Sequence, residues 1–78
     1  MTNKRVLPLP MVPPNTTVRI VDVVGGRSRL RRIFEMGLTP GVIAFVRNND
    51  IGPIILEVRG VVLAIGRGLA KSILVEVL

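Results

Sequence analysis

The segment RLRRIFEMGLTPG, residues 29–41, ends in a stop that no helix runs through. Leu30, Ile33 and Phe34 recur at i, i+3 and i+4, the spacing of one narrow apolar stripe on a helix. Gly37 stands where a left-handed residue closes a helix C-terminus. Pro40 then keeps the helix from resuming, and Gly41 completes a tight turn. The period therefore predicts one short helix, over residues 27–36. On a helical wheel Leu30, Ile33 and Phe34 face a core, while Arg31, Arg32 and Glu35 point away. Arg29 and Met36 lie on a flank.

Around that helix the pattern is β. In VRIVDVVGG, residues 18–26, Val18 and Ile20 alternate with Arg19, and the alternation slips at Val21-Asp22-Val23, which predicts a bulge. Val42, Ala44 and Val46 alternate with Ile43, Phe45 and Arg47. NNDIGP, residues 48–53, is a hairpin turn by composition, with Gly52 and Pro53 at its end. Ile54, Leu56 and Val58 then share one face, with Ile55, Glu57 and Arg59 on the other. After Gly60 a further strand carries Val61, Leu63 and Ile65. Residues 66–70 read as a 3-10 turn, and residues 72–78 as a last strand. The expected fold is mainly β: a small five-stranded barrel with one helix after the first strand and a 3-10 turn before the last. Strands this short escape the open-edge problem by closing on themselves. At 78 residues the chain holds one domain, expected over residues 15–78, preceded by a proline-rich, extended lead-in over residues 1–14.

The chain has neither cysteine nor histidine. Disulfides are excluded, and no soft or imidazole ligand exists for zinc, copper or an iron–sulfur cluster, so no metal site and no cofactor is expected. The usual general base and the thiol nucleophile are missing too. Ser28 and Ser72 lack an imidazole partner, and Asp22, Glu35, Asp50, Glu57 and Glu76 follow no motif spacing. A non-enzymatic protein is the expectation. Gly25-Gly26-Arg27-Ser28 lacks the spacing of a phosphate-binding loop, and Gly66-Arg67-Gly68 reads as a turn. Prolines at 8, 10, 13 and 14 break any signal-peptide core, and no apolar run approaches the ~18 residues of a membrane span. A cytoplasmic location without membrane insertion is expected.

A net charge of +6 admits acidic proteins, nucleic acid and anionic membrane surfaces as partners. Nucleic acid is disfavoured: there is no Trp or Tyr to stack bases, and no helix-turn-helix pattern. Arginines crowded near a helix start oppose the helix dipole. They are either a solvated face or a contact for another macromolecule. Ile55, Val62, Leu74 and Leu78 fall opposite the expected core, joined by Val6, Leu7 and Leu9, and mark a protein-binding or weak self-association surface.

The succession VRIVDVVGG, RLRRIFEMGLTPG, GPIILEVRGVVLAIGRGLAKSILVEV resembles the FeoA family of ferrous-iron transport proteins from about residue 16 onward. EMGLTPG at 35–41, GPI at 52–54 and AIGRGLAKSILV at 64–75 carry the resemblance. It implies an SH3-like barrel without catalysis of its own. The implied role is that of a cytosolic accessory to a GTPase-bearing Fe(II) permease, docked on the permease's cytosolic part. The same fold occurs at the C-terminus of iron-dependent repressors, which leaves a regulatory module as the alternative, beside a small basic barrel that binds nucleic acid. Before residue 16 the chain departs from the family, with LPLPMVPPN and an Asn15 where the family opening has glycine. Asn tolerates the left-handed conformation that the turn requires. Arg29, Arg32, Ile33 and Met36 are the residues expected to meet the partner.

Overall fold

The computed structural model describes residues 5–78; residues 1–4 of the expected lead-in lie outside them. In chain order the elements are β1 (Val6–Pro8), a 3-10 turn (Leu9–Met11), β2 (Thr16–Val23) and α1 (Arg27–Glu35). There follow β3 (Ile43–Asn48), β4 (Ile54–Val58), β5 (Val61–Ile65), α2 (Arg67–Ala70) and β6 (Ile73–Val77). All strands pair antiparallel in one sheet of order β1-β6-β2-β3-β4-β5. Val18 and Ile20, Ala44 and Val46, Ile54 and Leu56, Ile65, and Ile73 and Val75 are buried in a single core. A single sheet whose strands all supply one core must curl on itself.

The strand count differs from expectation because the lead-in takes part. Val6, Leu7 and Pro8 pair with Glu76, Val75 and Leu74 of β6. Pro8 has no N–H to donate, which an edge strand tolerates. Leu9 and Val12 are each 1% exposed, so both belong to the core. The prolines forbid a long helix but suit extended and 3-10 backbone, and they lay these side chains onto the barrel. Asn49 fastens the segment: its Nδ2 donates to Pro10 O at 2.9 Å and to Val12 O at 2.6 Å. Asn15 takes φ 61°, and its N–H donates to Val46 O at 2.6 Å. The boundary expected at residue 15 therefore does not separate a lead-in from the packed unit, which begins with β1.

Helix α1 stops as its sequence dictates. Gly37 has φ 83°, its N–H donates to Phe34 O at 2.9 Å, and the N–H of Leu38 reaches back to Ile33 O at 3.2 Å. This is the Schellman closure, with its apolar contact supplied by the buried Ile33 and Leu38. The N–H of Gly41 then bonds Ile20 O at 2.7 Å, turning the chain past Pro40 into β3. Gly52 and Pro53 lie in the bend before β4, as expected. The predicted slip in β2 is a register shift between Ile20 and Asp22. The expected 3-10 turn before the last strand is a short α-helix instead: Ala70 N–H bonds Gly66 O, and Lys71 N–H bonds Arg67 O.

In the β4–β5 hairpin Val58 pairs with Val61 across Arg59 and Gly60, whose φ values are 52° and 79°. Positive φ at both central residues defines a type I′ turn, which favours Asn-Gly. Arg59 is thus an L-residue in a conformation that costs roughly 1–2 kcal/mol and that Asn visits readily. Arg59→Asn is expected to raise stability by up to ~1 kcal/mol, read as a higher urea midpoint with an unchanged slope.

Candidate docking surface

The seat of α1 determines what it shows to solvent. Ile33 is wholly buried, and Leu30 and Met36 pack against the core from either side. With Ile33 at the centre, Leu30 and Met36 each lie about 60° away on the wheel, and Phe34 and Arg32 about 100° away. The buried line is therefore 30-33-36, in place of the expected 30-33-34, and Phe34 is 42% exposed. Ile33, expected to meet the partner from the edge of the packed stripe, is unavailable to it because the core takes it entirely. Met36 retains partial exposure.

The outward surface carries Arg27, Ser28, Arg31, Arg32, Phe34 and Glu35. Arg27, Ser28, Arg31 and Arg32 line a shallow groove of about 370 Å³. No acidic residue occupies the first turn, and no side chain caps Gly26. Among the described residues no ion pair joins these arginines to a carboxylate. On the sheet, by contrast, Arg19 meets Glu76 at 2.8 Å and Arg47 meets Glu57 at 3.1 Å.

Arg29 has a different task. Its Nη1 donates to Gly68 O at 2.8 Å, a charge-assisted bond that straps α1 to α2. A Cβ on Gly25, where φ is 129°, would meet Arg29 Cδ at 2.8 Å, so the glycine leaves the path of the strap open. Of the four residues expected to face a partner, only Arg32 stands clear of the fold, with Met36 at its margin. Arg27, Arg31 and Phe34 join them. Only the placement of Ile33 at the centre of the seat, rather than at its edge, brings Phe34 out, and the spacing by itself favours the wider stripe.

The expected apolar surface is dispersed. Val6, Val62 and Leu78 are exposed at 52–56%, whereas Leu7, Ile55 and Leu74 are half-buried and Leu9 is in the core. Among the described residues, no helix is long and apolar enough to cross a membrane.

Known proteins share this sequence and this fold. The model of the FeoA domain matches residues 7–77. A Methanocaldococcus jannaschii protein, provisionally named Fe(2+) transport protein A, is 35% identical over 69 residues, covering 88% of this chain and 84% of the relative. A crystal structure of an iron uptake regulatory protein (FeoA) superposes with a TM-score of 0.87 at 39% identity, across 95% of this chain and 99% of the other. A manganese-dependent transcriptional repressor superposes equally well, with a TM-score of 0.87, but at 16% identity. That match covers 99% of this chain and 44% of the repressor, and it shows the shared SH3-like fold alone. With the family match running from the edge strand β1 to the end of β6, the chain belongs to the FeoA domain family.

Proposed function

We propose that this protein is a non-enzymatic, cytoplasmic accessory of ferrous iron uptake. Its partner is the cytosolic domain of a GTPase-bearing Fe(II) permease, and the outward face of α1 is the contact. Family membership and the relatives named for iron uptake and Fe(2+) transport support the pathway. The observation that carries the surface is the crowd of Arg27, Arg31 and Arg32 on the face that also exposes Phe34, with no carboxylate among the described residues ion-paired to these arginines. Arginine and a partly exposed aromatic are the side chains that most often dominate interface energetics. A basic face also steers encounter with an acidic partner.

The double variant Arg31→Glu with Arg32→Glu is expected to weaken binding to the purified permease domain at least ~tenfold at ~150 mM salt, measured by calorimetry. The melting temperature stays within a few degrees, because both side chains are exposed and their substitution disturbs no buried contact. Undiminished binding removes α1 from the reading. Salt-resistant retention of duplex DNA or RNA by the parent protein, lost in the same variant, replaces the permease with nucleic acid.

A further inference from the structure

The two ends of the sheet are unequally guarded. β1, at one end, is three residues long and contains Pro8, two features that discourage pairing with another strand. β5, at the other end, is VVLAI: no charge, no proline, and no register shift against β4. The hairpin geometry fixes which of its backbone groups are free. Residues flanking a two-residue loop exchange both hydrogen bonds, so the bonded pairs are Val58/Val61, Leu56/Leu63 and Ile54/Ile65. The N–H and C=O of Val62 and Ala64 therefore point away from β4, and among the described residues no backbone group meets them. Val61 and Val62 are 56% and 55% exposed, and Ala64 is exposed beside them. The result is an apolar row of unused donors and acceptors, the template on which an extended segment adds as a further strand.

Charge selects among the occupants. Arg59 precedes β5 and Arg67 follows it. In a second copy, antiparallel and paired over the full strand, Arg59 would face the other copy's Arg67 at both ends. Like charges placed opposite are destabilising, and each copy also carries +6 overall. An extended segment with acidic ends reverses both terms. Arg67 commits one donor to Gly52 O, at 3.3 Å, and keeps the rest of its fork.

We infer that the free edge of β5 is a strand-addition site for an extended segment of a partner protein. Apolar residues of that segment alternate along β5, and acidic residues stand at its ends, against Arg59 and Arg67. The site does not involve α1, and its test uses none of the α1 arginines, so either reading fails without the other.

The probe is a synthetic peptide of alternating valine and threonine with aspartates at both ends, titrated into the full isotope-labelled chain. Amide resonances of residues 61–65 are expected to shift most, and exchange of the Val62 and Ala64 amide protons to slow at least ~tenfold. The same peptide with lysines at its ends is expected to bind at least ~tenfold more weakly at ~150 mM salt. N-methylation of its alternate backbone nitrogens abolishes binding. Val62→Pro, which deletes an outward N–H and no bond to β4, abolishes binding while the protein still melts cooperatively. Three results overturn the inference: no perturbation at residues 61–65 with millimolar peptide, equal binding of the lysine-ended peptide, or a sedimenting dimer paired through β5.

Discussion

Ile33→Ala is expected to lower stability by about 2–5 kcal/mol, more than any other single truncation in α1. A chain of 78 residues has roughly 4–12 kcal/mol in total, so the loss is a large part of what holds the fold. The reason is geometric. Ile33 is the one buried residue of α1, and the same side chain supplies the apolar contact with Leu38 that closes the helix. Removing it opens a void beneath a helix of nine residues that is too short to persist without its seat. The thermal midpoint should fall by ~10 °C or more. Phe34→Ala, by contrast, should move the midpoint by no more than a few degrees, because the residue is already 42% exposed. Equal losses from the two variants would show the helix seated on a broader stripe.

The second large effect concerns the N-terminal segment. Leu9→Ala is expected to cost about 2–5 kcal/mol, since Leu9 is 1% exposed and packs where the 3-10 turn meets α2 and β6. Deleting residues 1–14 goes further. It removes β1, uncovers an edge of β6, and leaves Asn49 Nδ2 without its two carbonyl acceptors. An apolar hole at Leu9 and Val12 combined with a stranded polar group should abolish cooperative unfolding, checked by circular dichroism against urea. A truncated chain with the parent's midpoint would return the segment to the status of a lead-in outside the core.

These two cases show where sequence reasoning reaches. Strands β2 to β4 were legible because their alternation follows burial: Ile54, Leu56 and Val58 sit in the core with Ile55 and Glu57 opposite. The end of α1 was legible because Gly37 followed by Pro40 admits few backbones. β1 escaped notice since proline density argues against regular structure in general, while one antiparallel neighbour contributed by residues far along the chain suffices to order it. Val61 illustrates a second limit. Its parity matches that of Ile65, yet it is 56% exposed on the edge strand while Val58, its partner across the hairpin, is buried. Parity assigns a face and says nothing of how well an edge strand is covered. On the candidate surface the arginines were evident from composition, but their division of labour was not. Arg29 bonds Gly68 across 39 positions, a pairing that no local pattern encodes.

The order of strands also bears on how the chain comes together during synthesis. β2 to β5 are sequential neighbours, so this meander can zip as it leaves the ribosome. β6, in contrast, must pair with both β1 and β2, two strands that appeared long before it. Until then the first segment has no place to dock, and the nascent polypeptide carries an unfilled slot that any chaperone recognising extended apolar stretches will see. The arrival of β6 therefore orders β1 and covers the open flank of β2 in a single step.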